Sequence, residues 1–238
     1  MEHANMNTQT VAVIGAMQPE IERLKNSLDN LVTETFGAFT LYSGRYGGKQ
    51  VVLALSGIGK VNAAAATAVL VQRYRPDCVI NTGSAGGLGQ GLAVGDVVIG
   101  TETAHHDVDV TAFGYDYGQV PQLPARFVSD AALCAAAETA AAAFAGARVH
   151  RGLIVSGDQF VHSSEAVAAI RSRFAGVQAV EMEAAAIAQS CHQFGVPFVV
   201  IRAVSDLADE QADTSFEAFL ETASVHSAQM VQHLIEAL

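Results

Sequence analysis

"KQVVLALSGIGKVNAAAATAVLVQRYRPDCVINTG", residues 49–83, carries the signals that set the fold. Residues 49–57 form a short apolar run closed by Ser56 and Gly57, and 76–83 form a second run opened by Pro76; both read as strands. Between them, 59–74 is rich in alanine, free of proline and reads as a helix. A strand, a helix and a strand in so short a span is the building unit of an α/β sheet. Both strand runs are apolar without alternation, as expected of strands buried on both faces.

The same alternation extends in both directions. "TVAVIGA" (10–16), "VGDVVIG" (94–100), "RGLIVSG" (151–157) and "VPFVVIRAVSD" (196–206) read as further strands. Helices are expected at about 18–30, 130–145, 163–173, 183–194 and 214–237, the one at 130–145 opened by Ser129 or Asp130 and the one at 183–194 stopped by Gly195 with Pro197 beyond it. The pattern predicts an α/β fold, a three-layer α/β/α sandwich around a central mixed β-sheet. No linker or repeat divides the chain, so residues 1–238 are expected to form one domain, with 1–9 as a polar tail. One long irregular stretch remains at about 104–128, and a loop of that length is usually functional or at an interface.

Composition excludes several classes of partner. Half of the 238 residues are hydrophobic and 16% are charged, which suits a packed core. With 13 Lys and Arg against 24 Asp and Glu, the net charge of −11 repels nucleic acid and anionic membrane surfaces. The most apolar window, "ALCAAAETAAAAFAGA", is interrupted by Glu138 and falls short of a membrane span. The first ten residues lack the features of an export signal, and Cys78, Cys134 and Cys191 are widely spaced, so a cytoplasmic chain with reduced thiols is expected.

Four motifs sit at strand ends, where open α/β sheets bind ligands. "SGIGKVNAAA" (56–65) resembles a dinucleotide turn but has Asn62 at the third glycine position, which leaves a tight strand-to-helix turn as the simpler reading. "TGSAGGLGQG" (82–91) places Ser84 at the end of a buried strand but has Thr82 where a serine-hydrolase elbow needs glycine, so a plain glycine turn after the strand, with one hydroxyl to offer, is the simpler reading. In "AHHDVDV" (104–110) the adjacent histidines point to opposite faces of an extended segment and would not share an ion, so no metal and no cofactor is expected. "AVEMEAAAIAQ" (179–189) sets Glu181 and Glu183 on one side of an extended segment, with Glu183 entering the first helical turn, where an acid is also ordinary capping chemistry.

What tips the balance towards chemistry is company. Glu20 follows the strand at 10–16, and Asp206 ends the strand that carries Arg202. Acids that converge from separate strand ends suit a reaction in which one gives a proton, another takes one, and positive charge develops between them. Cleavage of an N-glycosidic bond has that profile.

The blocks "VIGAMQPE" (13–20), "SGIGKVNAA" (56–64), "NTGSAGG" (81–87), "HDVDVTAFGY" (106–115), "GLIVSGDQF" (152–160), "VEMEAAAIA" (180–188), "RAVSDLAD" (202–209) and "SFEAFL" (215–220) together resemble the 5'-methylthioadenosine/S-adenosylhomocysteine nucleosidases. These belong to the nucleoside phosphorylase/hydrolase superfamily. The resemblance implies a nucleoside phosphorylase-like fold and hydrolysis of 5'-methylthioadenosine, S-adenosylhomocysteine and 5'-deoxyadenosine to adenine and a sugar, a step of methionine salvage. It implies that Glu20 polarises the attacking water with Arg202 and Glu183, and that Asp206, oriented by Ser205, protonates adenine N7. Glu183 would bind the ribose hydroxyls, Met182 pack on the ribose and Ser84 contact the ribose or water region. Phe160 would stack on adenine, whose edge the Val161 backbone reads, while Met17, Ile58 and Phe216 line the 5'-thioalkyl pocket. Glu181 would play a supporting part near Arg202. The family is homodimeric, which implies that loop 104–128 carries Val110, Phe113 and Pro121 to the partner's site. Gln18 and Pro19 depart from the pattern, since many relatives have two acids there.

Two rivals remain. A purine nucleoside phosphorylase would need a cationic phosphate pocket, and the motif around residues 15–20 contains no arginine. A non-catalytic nucleoside-binding protein would have no use for a desolvated acid.

Overall fold

The computed structural model describes residues 9–144 and 147–238. In chain order the elements are β1 (Thr10–Gly15), α1 (Gln18–Asn26), β2 (Asp29–Phe36), β3 (Phe39–Tyr46), β4 (Lys49–Leu55), α2 (Lys60–Tyr74), β5 (Cys78–Gly87), β6 (Val97–His105), a 3-10 turn at Thr111–Phe113 and β7 (Phe127–Val128). They continue with α3 (Ala131–Ala143), β8 (Val149–Ser156), α4 (Ser164–Arg173), β9 (Val177–Glu181), α5 (Ala184–Phe194), β10 (Phe198–Asp206) and α6 (Ala212–Ala237).

All the strands join one mixed sheet. Its open half runs β2, β3, β4, β1, β5, with β1 parallel to both β4 and β5. Its other half curls into a ring: β5 pairs with β10, β10 with β6, β6 with β8, β8 with β9, and β9 returns antiparallel to β5. The burial explains the unbroken apolar runs. Val11, Val13, Leu53, Ile80 and Ile201 pack on one face with Leu133 of α3 and Met230 and Leu234 of α6. Their neighbours Ala12, Ile14, Val52, Val79 and Val200 pack on the other face with Leu70 of α2 and Ile187 of α5. Successive strand residues point to opposite faces, so a sheet covered on both sides needs apolar residues at every position.

The ring creates one irregularity that matters. Along one edge of β5, β1 pairs as far as Asn81, and β9 takes over only at Gly86. Residues 82–85 therefore have no strand partner on that edge, and their backbone groups need other partners. On the opposite edge, β10 slips in register between Val204 and Asp206. Such a bulge re-aims side chains, and it lets two consecutive residues, Ser205 and Asp206, face the same space.

Several expected boundaries move. Helix α1 ends at Asn26 rather than near 30, and residues 29–46 form a hairpin of two strands with no expected counterpart. Most of β2 is exposed, so its side chains carry no apolar periodicity. The strand β5 continues to Gly87, which places Ser84 within the strand rather than at its end. The expected strand at 94–100 begins at Val97 and runs to His105, taking up the start of the long loop. The expected polar tail, up to residue 8, and the expected helix end at 145 lie outside the described residues. Among the described residues no helix is long and apolar enough to cross a membrane.

Candidate active site

A cavity of about 280 Å³ opens at the carboxyl ends of the strands. Met17 and Glu20 reach it from the start of α1, Ile58 from the β4–α2 turn and Ser84 from β5. Phe160 and Val161 come from the β8–α4 loop, Glu181, Met182 and Glu183 from the β9–α5 junction, Arg202, Ser205 and Asp206 from β10, and Phe216 from α6. Every residue that the resemblance assigns to the substrate within one subunit thus lines one cavity. Ala16, Ala85, Gly86, Gln159 and Val180 also line it and were not foreseen. Val110, Phe113 and Pro121 do not line it; Phe113 is 81% exposed on the outside.

Glu20 is buried at the first turn of α1. Its Oε2 accepts the N–H groups of Ala16 at 2.8 Å and Met17 at 3.0 Å, and its Oε1 accepts the Ser84 N–H at 3.0 Å and hydroxyl at 3.1 Å. One carboxylate therefore both caps its own helix and fills the open edge of β5. Pro19 sits in the first turn, where its missing N–H removes a donor that had no helical partner, so the Gln18–Pro19 departure leaves this geometry intact. Gly83 is required beside it: at φ +149 a Cβ there would lie 2.5 Å from Arg202 Nη1 and 2.7 Å from Glu20 Oε1.

Arg202, 1% exposed, fills the rest of the gap. Its Nη1 donates to the Ser84 carbonyl at 3.1 Å, and its Nη2 donates to Asn81 Oδ1 at 2.8 Å, to Glu181 and, at 3.4 Å, to Glu183 Oε2. Burial alone would lower its pKa, but Glu181, Glu183 and Glu20 outweigh that and hold it above its ordinary value.

The two acids of 181–183 divide the work that sequence assigned to one. Glu181 does the capping: its Oε2 takes the N–H groups of Glu183 and Ala184, each at 2.8 Å, and its Oε1 takes the Ser156 hydroxyl, whose oxygen accepts the Ala185 N–H at 2.8 Å. Glu183 stands at the N-cap position of α5 yet makes no capping bond with its side chain. It faces the cavity, and its Oε1 accepts the Gly59 N–H at 2.9 Å from the start of α2. Burial, then the neighbouring Glu181, push the Glu183 carboxyl up to about 8, against the opposing pull of Arg202. The direction follows from charge: three carboxylates share one guanidinium, so full ionisation would leave two negative charges uncompensated in a buried space.

Across the cavity, Asp206 is 2% exposed, with Oδ2 accepting the Ser205 hydroxyl and Oδ1 the Ala208 N–H, both at 2.8 Å. Burial raises its pKa, and these two hydrogen bonds only partly offset the rise. The cavity thus holds two buried acids inclined to keep a proton, Glu183 and Asp206. Phe160 and Phe216 meet edge to face at 5.9 Å at the apolar end. The histidine pair does not converge: His105 Nε2 pairs with Gln189 at 2.8 Å, while the His106 ring packs over Gly157. Asn81 and Ser156, which hold Arg202 and Glu181, had no sequence signal beyond their place at strand ends.

The Glu183 shift has a sign that stability measurements can read. Its folded pKa lies above the unfolded value of 4.5, so the protein binds this proton more tightly when folded, and stability falls as pH rises from about 4.5 through about 8. Asp206 adds in the same direction. Thermal unfolding followed from about pH 5 to about pH 8 should show the midpoint dropping, the unfolding free energy falling by up to about 1.4 kcal/mol per pH unit for one proton, and Glu183→Gln should flatten the slope. An equal slope in both proteins would contradict the assignment.

With this geometry in place, comparison with known proteins is direct. The family model for the phosphorylase superfamily matches residues 10–236. A 5'-methylthioadenosine/S-adenosylhomocysteine nucleosidase of Anoxybacillus flavithermus is 54% identical over 228 residues, which cover 96% of this chain and 98% of its own. The Bacillus subtilis nucleosidase of the same name is 52% identical, covering 96% and 99%. The crystal structure of the Neisseria meningitidis nucleosidase, bound to methylthio-immucillin-A, superposes with a TM-score of 0.96 at 66% identity, over 97% of this chain and all of that one (100%). That of the Colwellia psychrerythraea enzyme, bound to adenine, superposes with a TM-score of 0.95 at 45% identity, over 98% and 96%. The chain therefore belongs to the 5'-methylthioadenosine/S-adenosylhomocysteine nucleosidase family of the phosphorylase superfamily.

Proposed function

We infer that the protein hydrolyses the N-glycosidic bond of 5'-methylthioadenosine and S-adenosylhomocysteine, releasing adenine and the 5-thioribose sugar. 5'-Deoxyadenosine presents the same adenine and ribose and is expected to be cleaved as well. The observation that carries the reading is the meeting of Glu20, Glu183 and Asp206 around a single nucleoside-sized cavity, with Arg202 buried beside them.

The geometry suggests how the steps divide. Adenine lies against Phe160, with the Val161 backbone at its edge, and Asp206 transfers its proton to N7. The C1'–N9 bond breaks with its electron pair going to adenine, and the ribosyl centre becomes cationic. The Glu20 carboxylate stabilises that cation, while Glu183 holds the ribose hydroxyls and Met182 packs on the ring. Water adds to C1' and Glu20 takes its proton. All four acceptor positions of Glu20 are occupied, three by backbone N–H groups and one by the Ser84 hydroxyl. Only the hydroxyl can leave by rotation about one bond, so we place the attacking water where Ser84 Oγ now touches Glu20. Glu181 supports Arg202 and α5 from behind, and Met17, Ile58 and Phe216 receive the 5' substituent.

A phosphorylase reading meets an electrostatic obstacle. A phosphate at the water position would stand beside Glu20, where two like charges at about 4 Å repel by about 1 kcal/mol in water and about 4 at an effective dielectric of 20. Arg202 is already engaged by Asn81, Ser84, Glu181 and Glu183.

We also propose a homodimer in which loop 104–128 brings Val110, Phe113 and Pro121 to the partner's cavity, and a cytoplasmic location. The exposed Phe113 ring supports the first, and three buried free thiols are compatible with the second. Sedimentation velocity should give the mass of two chains; a monomer at working concentration would contradict the shared site.

Asp206→Asn and Glu20→Gln should each lower kcat for adenine release by about 100-fold or more while circular dichroism stays unchanged. A folded variant that keeps kcat within about tenfold of the parent would overturn the role given to that acid.

A further inference from the structure

Three sequence blocks outside the reacting centre meet in the structure. Lys60 opens α2, Asp107 follows β6 and Asp158 follows β8. The Lys60 ammonium donates to Asp107 Oδ1 at 2.6 Å, Asp107 Oδ2 accepts the Asp158 N–H at 2.9 Å, and Asp158 Oδ1 accepts the Lys60 backbone N–H at 2.7 Å, which closes a ring. The Lys60 and Asp107 side chains are only 18% and 16% exposed, so their pair is far less screened than an ordinary surface ion pair.

Each member of the ring is attached to a different part of the site. Gly59, next to Lys60, is the residue whose N–H holds Glu183. Asp158 lies in the loop that carries Phe160 and Val161 to the adenine end of the cavity. The segment of Asp107 continues to Val110 and Phe113. The approach is close: Gly59 has φ +97, and a Cβ there would lie 3.1 Å from Asp158 Oδ1. The β8–α4 loop is held at its start by the Gly157 N–H on the Glu181 carbonyl, by the Asp158 N–H on Asp107 and by Asp158 Oδ1 on the Lys60 N–H, so the ring supplies two of these three ties.

We propose that Lys60 and Asp107 are positioning residues for glycosidic cleavage: their ion pair, closed through Asp158, holds the adenine-facing loop and the Gly59 N–H that anchors Glu183 in one arrangement. This rests on the nucleosidase reading above. Neither side chain lines the cavity, so both act through Phe160, Val161 and Glu183. Removing the ammonium also leaves the Asp107 and Asp158 carboxylates without the cation between their segments, so loss of Lys60 should disturb the loop more than loss of the Asp107 charge.

Adenine binding separates this role from a merely structural one, because it reads the loop without the chemistry. By calorimetry, Lys60→Met should raise the adenine Kd about tenfold or more and the KM for methylthioadenosine with it, with the urea midpoint near that of the parent. Lys60→Arg, which keeps the charge, should recover most of the affinity. Should Lys60→Met not fold, Asp107→Asn tests the same ring with the side-chain size kept, and a smaller rise is expected. Unchanged adenine Kd and KM in either folded variant would overturn the proposal, as would losses that track a lowered unfolding midpoint and are not recovered in Lys60→Arg. A parent protein that neither binds nor releases adenine would instead overturn the nucleosidase reading on which the proposal rests.

Discussion

The buried guanidinium of Arg202, set against the unpaired edge of β5, is the interaction on which the rest of the site depends. The curl of the sheet parts β1 from β9 and strips residues 82–85 of a strand partner on one edge. A backbone edge buried in that way must be satisfied by something. Glu20 supplies acceptors for the Ser84 N–H and Arg202 supplies a donor for the Ser84 carbonyl. Arg202 in turn requires anions, which Glu181 and Glu183 provide. Strand pairing, acid placement and charge are thus one problem with one solution. Such a buried ion cluster is weak evidence for stability, since desolvation opposes it; what it secures here is arrangement.

That arrangement leaves more acids than cations at the site, and the surplus favours the chemistry we propose. A site with three carboxylates around one guanidinium stabilises a cation and repels a phosphate dianion. Proton affinities follow the same logic. Glu183 is pushed up by burial and by Glu181, and Asp206 is raised by burial. In the proposed reaction Asp206 is the group that faces the leaving base, and Glu20, fixed by four hydrogen bonds from N–H and O–H donors, faces the water.

Much of this was legible in the sequence because burial on both faces writes itself as unbroken apolar runs. The strand at 196–206 and the helix after Gly59 could be read directly, and the acids at strand ends stood out against a chain with little charge. The hairpin of β2 and β3 could not, because "DNLVTETF" is mostly solvated and shows neither a period of two nor an apolar run. That Glu181 rather than Glu183 caps α5 was not legible, because spacing says which side an acid lies on but not which N–H it will reach. The bulge at Ser205 and the anchors Asn81 and Ser156 depend on contacts between distant segments, and no local pattern announces them. The same holds for Lys60, Asp107 and Asp158, each of which belongs to a recognisable block whose common purpose appears only when the blocks meet.

The most direct test is the identity of the sugar. Incubated with methylthioadenosine in concentrated phosphate, the protein should release adenine together with free 5-methylthioribose, at a rate that phosphate does not increase. Accumulation of 5-methylthioribose 1-phosphate would mean that the anion enters beside Glu20 despite the surplus charge, and the electrostatic account would be wrong.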